Sequence, residues 1–241
     1  MVSAQGPNIS MIVPVWGDDK ILAQLLEAPY LRTNSLEWIV AAVEPGPELK
    51  KLESQGIIRL LICEKPSRGE QMNAGAKVAT GRMFCFHHAD TEFTNQHLEA
   101  LIKAEADPSV KGGAFHRRFD NRHPLMRFWE RFLQNVNTSF SPLFGDQSIF
   151  VRAEAFHLMG GFAEIPLMED LEFSGRLRKR SGVRLLHPAI STSARRFDQL
   201  GSLRTSLFNG LLISLFYLGF SPERLHQWYY ADRHKSVNPV Q

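Results

Sequence analysis

The sequence predicts an α/β fold: a central, mostly parallel sheet flanked by helices, with further helices at the C-terminus. Three observations carry this reading. Short apolar runs alternate with helical segments through the first hundred or so residues. The runs are apolar nearly throughout rather than at every second position, as in strands covered on both faces. Glycine and proline punctuate the junctions between them.

The elements follow in order. "ISMIVPVW" is a strand stopped by Pro14 and Gly17, and Asp18 and Asp19 are placed to cap a helix to about Glu27. "LEWIVAAVEPG" is a second strand, and Pro47 suits the first turn of a helix to about Ser54. "GIIRLLICE" is a third strand, "RGEQMNAGAKVATG" a helix with Gly81 past its end, and "MFCFHHAD" a fourth strand. "NQHLEALIKAEA" is a helix beginning near Asn95.

The second half breaks this rhythm. "GGAFHRRF" alternates like a strand with one wetter face, and "HPLMRFWERFLQNVN" is an aromatic-rich helix. "GDQSIFVR" reads as a strand, "AEAFHLMGGF" as a short helix ended by glycines, and "MEDLEFSGRLRKR" as an amphipathic helix. "GVRLLHP" is a last strand before two C-terminal helices at about 200–233. No repeat, low-complexity linker or composition break divides the chain, so 1–241 is expected to be one domain, with halves at about 9–110 and 111–200.

Composition narrows the class. Hydrophobic residues make up 44% and charged residues 22% of 241, enough for a large core without staples. Cys63 and Cys85 sit in apolar runs and read as reduced core thiols, which excludes a disulfide-rich secreted fold. Met1 to Ser10 lack an apolar signal core, so a cytoplasmic location is expected. A net charge of +3 is too small to call for a nucleic-acid partner. The basic residues nevertheless cluster, at Arg117, Arg118, Arg122, Arg127 and Arg131, and again from Arg176 to Arg184 with Arg195 and Arg196 beyond. Such clusters are either solvated helix faces or attractors for diphosphates and acidic headgroups.

Ligands of open parallel sheets bind beyond the carboxyl ends of the strands. The residues there are Pro14 to Asp19, Val43 to Pro47, Glu64 to Gln71 and His88 to Thr91. Asp90 falls in this row, where a carboxylate can face a cleft and hold a cation. Strand alternation would send His87 and His88 to opposite faces, so the pair does not make a zinc site, and His87 reads as structural. Glu169 and Asp170 open a helix. One can complement the helix dipole or pair with a basic neighbour while the other serves as a base. Arg68, followed by glycine at a helix start, with Gln71 and Asn73, suits an anion site. Walker, G-x-G-x-x-G, G-x-S-x-G, H-E-x-x-H and C-x-x-C motifs are missing.

The pieces "IVPVW", "RGEQMNAGA", "FHHADT", "GGAF", "GDQSIFVR", "GGFAEIPLMEDLEFSGRLRK" and "SARRF", in that order, resemble family 2 glycosyltransferases with the GT-A fold. The chain is most similar to a small stand-alone bacterial branch, the radical-SAM/selenodomain-associated transferases. The resemblance implies a metal-dependent, inverting transfer of a sugar from a nucleotide-diphosphate donor to an acceptor hydroxyl. Asp90 would bind the divalent metal, Mn²⁺ or Mg²⁺, with His88 in place of the family's first acidic residue. Asp170 would be the catalytic base. Pro14, Asp18, Glu44, Arg68, Gln71, Asn73 and His88 would line the donor pocket, with Arg195 and Arg196 reaching the diphosphate. Gly145, Asp146, Gln147 and Glu169 would border the acceptor side. Where the family shows Asn-Glu after the first strand, Gly17-Asp18 stands here, and Ala42 replaces the aspartate that reads the base or ribose. These departures keep a second reading open, a GT-A domain that binds a ligand or partner without catalysis. A nucleotidyltransferase would need a Gly-rich loop after the first strand, and "PVWGDDK" is not one.

"LFNGLLISLFYLGF", Leu207 to Phe220, is strongly apolar but 14 residues long, short of the roughly 20 that a membrane span needs. The region 205–220 is expected to be a core or homodimer helix, or a helix lying on the inner membrane surface.

Overall fold

In the computed structural model, residues 7–119, 142–192 and 202–237 are described. The chain runs β1 (Ile9–Val15), α1 (Asp19–Leu25), β2 (Leu36–Ala42), α2 (Pro47–Ser54), β3 (Arg59–Ile62), α3 (Arg68–Val78), β4 (Met83–Phe86) and α4 (Asn95–Ala106). It continues through β5 (Gly112–Phe119), a 3₁₀ turn (Gly145–Gln147), β6 (Ile149–Arg152), α5 (Ala153–Leu158), α6 (Glu169–Ser181) and β7 (Arg184–Thr192). Two C-terminal helices follow, α7 (Ser202–Tyr217) and α8 (Pro222–Val237).

The sheet order is β3-β2-β1-β4-β6-β5-β7. Only β6 runs against its neighbours, β4 and β5; every other pairing is parallel, so the expected mostly parallel sheet is observed. The chain first winds from β1 outward to β3, then returns to lay β4 on the other side of β1. This reversal opens a crevice beyond the carboxyl ends of β1 and β4, the place where such sheets bind ligands.

Strand alternation builds a core on each face of the sheet. Met11, Val13, Trp38 and Val40 pack on one side with Phe93, Leu98, Leu101 and Phe115. Ile12 and Ile39 pack on the other with Met72, Phe84, Phe86, Phe156, Phe162, Phe173 and Leu177. In this second core Phe162 stands edge-on to Phe86 at 4.7 Å and lies 4.4 Å from Phe173. Each buried phenylalanine contributes roughly 1.5–3 kcal/mol by area. The cluster therefore fixes α5 and α6 against β4, and with them the acidic start of α6.

Several expectations are corrected. In "GDQSIFVR" the first three residues form the 3₁₀ turn, and the strand starts at Ile149. Ser148 between them takes φ +50°, which breaks the extended run. β3 is an edge strand with Ile62 exposed, not a strand covered on both faces. Asp18 occupies the N-cap position of α1 but its side chain makes no capping bond. β4 ends at Phe86, so His87 and His88 lie in the following loop, where strand alternation does not govern them. The aromatic-rich segment 123–137, Arg195 and Arg196 lie outside the described residues.

Candidate functional site

β4 delivers its chain into the crevice through a short turn in which Thr91 N–H donates to the His88 carbonyl at 3.1 Å. Ala89 and Thr91 are buried while Asp90 between them is exposed, so the loop is anchored on both sides of the carboxylate. His87 is fully buried, its Nδ1 is 2.8 Å from Ser148 Oγ, and its ring meets Trp38 and Phe93 edge-on. Burial pulls its pKa down to about 3, so it is neutral, and its role is structural.

The 3₁₀ turn brings a second strand end to the same place. Gly145 N–H donates to Asp170 Oδ2 at 2.7 Å, and Leu171 N–H donates to Asp170 Oδ1 at 2.8 Å. Both carboxylate oxygens are thereby held as acceptors. A Cβ built on Gly145 would lie 2.8 Å from His88 Nε2 and 3.6 Å from Asp170 Oδ2. His88, Gly145 and Asp170 thus converge on one spot, where a side chain at position 145 would have to displace the His88 ring.

Asp146 takes Arg117 Nε–H and Nη2–H on one oxygen, Oδ2, while Oδ1 is buried without a partner. Burial raises its pKa, partly offset by Arg117, and the Asp170 and Asp90 charges add to the rise. The three carboxylates therefore share one electrostatic neighbourhood. Gln147 is spent on structure: its Oε1 accepts from Phe144 N–H and its Nε2 donates to the Phe115 carbonyl, both at 2.9 Å.

α6 starts where α3 starts. A Cβ on Gly69 would lie 2.8 Å from the Ala163 carbonyl and 3.6 Å from Glu169 Cβ, so glycine lets the two helix ends approach closely. Across this contact Arg68 Nη1 faces Glu169 Oε1 at 3.9 Å. The Glu169 side chain is buried and the Arg68 side chain is 43% exposed. Burial first, then the Asp170 charge, pushes the Glu169 pKa up to about 7, and Arg68 opposes the shift. Arg176 locks the same helix to the glycine-rich loop before it, pairing with both oxygens of Glu172 and donating to the Met159 and Gly161 carbonyls at 2.6 and 2.7 Å.

Two residues assigned to the donor pocket do other work. Gln71 is buried, and its Nε2 donates to the Val15 carbonyl at 3.1 Å and the Ala41 carbonyl at 2.7 Å, tying the ends of β1 and β2 together. Asn73 makes a two-way clamp on Phe162, donating to its carbonyl and accepting its N–H, both at 2.9 Å. Both N–H groups of the Gln71 amide are thereby taken, while one N–H of the Asn73 amide is not used in this clamp. Pro14 pairs with Ala41 inside the sheet. Glu44 is exposed just past β2 with φ +52°, and Asp18 is exposed at the start of α1. Asp19, not Asp18, joins the two loops by accepting Gly46 N–H. Ala42 is wholly buried, so nothing at that position reaches into the crevice.

One residue escaped the sequence reading. Trp16 stands at the carboxyl end of β1, 59% exposed, immediately before Gly17 with φ +82°. The signal was present as a large aromatic just past a strand end, beside a glycine that turns the chain. The C-terminal helices also reach the rim: Tyr229 and Tyr230 lie within electrostatic range of Arg68, and Tyr217 within range of Arg178 and Asp170.

Among the described residues, no three or more His, Cys, Asp or Glu side chains converge as a metal-binding group. The site offers instead one exposed hard oxygen donor, Asp90, and a buried carboxylate oxygen on Asp146 that lacks a partner. An exposed carboxylate such as that of Asp90 fits a hard divalent cation that draws its remaining ligands from a diphosphate and water.

Residues 45–162 match the family described as Glycosyl transferase family 2. No curated protein sequence matches the chain. Among solved structures, a mannosyltransferase from Pyrobaculum calidifontis in complex with GDP-Man and Mn²⁺ superposes with TM-score 0.65 at 17% identity, over 95% of this chain and 70% of that one. S. aureus TarS in complex with UDP gives 0.59 at 16%, over 95% and 72%. Glucosyl-3-phosphoglycerate synthase from Mycobacterium tuberculosis, in complex with phosphoglyceric acid, gives 0.56 at 15%, over 81% and 75%. At these identities the likeness is one of fold.

Proposed function

We propose that the chain, which matches the glycosyl transferase family 2 model over residues 45–162 and shares its fold with solved glycosyltransferases, moves a sugar from a nucleotide-diphosphate donor to an acceptor hydroxyl, with inversion and with a divalent metal. The observation that carries the reading is the carboxylate of Asp170. It is pinned between the Gly145 and Leu171 N–H groups and set beside His88 at the carboxyl end of β4.

In this reading Asp170 accepts the proton of the acceptor hydroxyl as that oxygen attacks the anomeric carbon. The bond from that carbon to the diphosphate oxygen breaks on the opposite side, and the nucleoside diphosphate departs. One displacement inverts the anomeric configuration. Glu169 is assigned the supporting role because it is buried and turned toward Arg68, whereas Asp170 lies beside His88 and the Gly145 turn. In this reading it holds the Arg68 guanidinium, which would face the donor diphosphate. Asp90 would hold Mn²⁺ or Mg²⁺, a charge that neutralises the departing diphosphate. Asp146, braced by Arg117, and the Gly145 turn border the acceptor side.

Nucleotide recognition follows a different route from an acidic residue at the end of β2. Ala42 is buried and offers no hydrogen bond. Trp16 supplies an exposed aromatic face at the crevice, and stacking on a base is worth about 1–3 kcal/mol. The departures at Gly17 and Ala42 therefore bear on base recognition and leave Asp90 and Asp170 in place. The nucleotide sugars bound by solved relatives favour this donor class.

The test is incubation of the purified protein with a panel of nucleotide sugars, with Mn²⁺ and with EDTA. The expected result is metal-stimulated donor hydrolysis or transfer, and loss of that stimulation in Asp90→Asn. Binding without any turnover across the panel would support the non-catalytic reading instead, and breakdown of the nucleotide sugar to a nucleoside triphosphate and a sugar 1-phosphate only when pyrophosphate is added would indicate a nucleotidyltransferase.

A further inference from the structure

α7 is a helix in an unexpected place. It is apolar on all sides, through Leu211, Leu212, Ile213, Leu215, Phe216 and Tyr217, a pattern that belongs to buried helices. Yet of its described side chains only Leu212 is buried. Leu211 and Leu218, two turns apart on one face, are exposed, and the turn into α8 adds exposed Phe220. No described helix is long and apolar enough to cross a membrane.

The C-terminal turn of α6 lies alongside this tip and is cationic. Arg178 is within electrostatic range of Tyr217, and Arg180 Nη1 donates to the Leu158 carbonyl at 2.9 Å. Successive helical residues are about 100° apart, so Lys179 stands between these two contacts and faces solvent. Tyr217 (60% exposed) therefore lies towards the Arg178 side of this turn and the Leu158 backbone towards its Arg180 side, and the Leu158 (70%) and Leu218 (75%) side chains are exposed. Exposed Arg224 follows on the first turns of α8, and Trp228 is exposed one turn further.

We infer that the α7–α8 turn and the end of α6 form an edge that docks on an anionic lipid bilayer. Leu218, Phe220 and Leu158 would enter the headgroup boundary, with Lys179 and Arg224 on lipid phosphates and Tyr217 and Trp228 at the interface. Charge decides between occupants. Lys179 and Arg224 are complemented by anionic headgroups across a plane, whereas in a two-fold dimer each would need an acid of the second copy set opposite it. From Arg178 to Arg180 and from Tyr217 to Trp228 this edge offers Glu223 alone. The edge also adjoins the site, since Tyr217 is within electrostatic range of Asp170. A bilayer there would present a lipid-carried acceptor hydroxyl to the base. That last step rests on the transferase reading; the docking itself does not.

Co-sedimentation of the full chain with phosphatidylglycerol/phosphatidylcholine vesicles tests the docking without any turnover. The protein should pellet with these vesicles and stay in the supernatant with pure phosphatidylcholine. Raising salt from about 0.1 M to about 1 M, which cuts the Debye length from about 10 Å to about 3 Å, should release it. Lys179→Gln with Arg224→Gln should weaken partitioning roughly thirtyfold, at about 1 kcal/mol per cation. Leu218→Asp with Phe220→Asp should abolish it while leaving the thermal transition unchanged, because both side chains are exposed. A wild-type protein that stays in the supernatant with anionic vesicles at low salt overturns the inference. So does a dimer in light scattering that the Leu218/Phe220 variant dissociates while vesicle binding is absent.

Discussion

Gly145 N–H holds Asp170 Oδ2 at 2.7 Å, and the same glycine lets His88 Nε2 come within 2.8 Å of where a Cβ would stand. The base is therefore positioned by a residue defined by what it lacks. Gly145→Ala should push the His88 ring and the turn apart by a few tenths of an ångström. Transfer should fall roughly ten- to a hundredfold, the scale of cost for a misplaced catalytic group. Binding of nucleoside diphosphate, followed by calorimetry, should be nearly unchanged. Wild-type turnover in this variant would show that the hydrogen bond does not position the base.

Glu169 gives the protein a pH signature. Its folded pKa is raised from 4.5 to about 7, so between those values the native state keeps a proton that the unfolded chain releases. Stability from this group is full below about pH 4.5 and is lost as pH rises toward 7. Glu169→Gln should flatten the fall in melting temperature across that window. An unchanged slope would mean that Glu169 titrates normally and that another group sets the pH dependence.

Trp16 should report on the donor. Trp16→Ala should weaken nucleoside diphosphate binding about tenfold, within the range for losing one stacking face. Because Trp16 is exposed, its loss should leave the denaturation midpoint in place. Equal affinity in wild type and variant would leave base recognition to Glu44 or Asp18.

Much of this architecture was legible in the sequence because periodicity and punctuation agree. Pro47 opens α2 and Arg68 opens α3 where the pattern placed them, and α6 begins at Glu169 after the proline-bearing loop. Asp90 was legible as a strand-end residue and Glu169 and Asp170 as the acidic start of a helix, while grouping them in one site came from the family resemblance alone. The structural bonds of Gln71 and Asn73 were not legible, because an amide looks the same in sequence whether it faces a ligand or a carbonyl. Only the fold shows that Gln71 lies under the ends of β1 and β2 and that Asn73 meets Phe162 across 89 positions of sequence. The "GDQ" turn was missed for a related reason: the positive φ of Ser148 is a local conformation that residue type does not announce. Trp16 was overlooked because an apolar residue at a strand end is ordinarily core.

Turnover of Asp170→Asn at saturating donor tests the central claim most directly. The substitution keeps an oxygen to accept the Gly145 N–H but removes the proton acceptor. Transfer should fall by about 10²-fold or more, the usual contribution of a positioned base, while nucleoside diphosphate binding stays close to wild type. Near-normal turnover would contradict the account and return the search for the base to Glu169, Asp146 or Asp18.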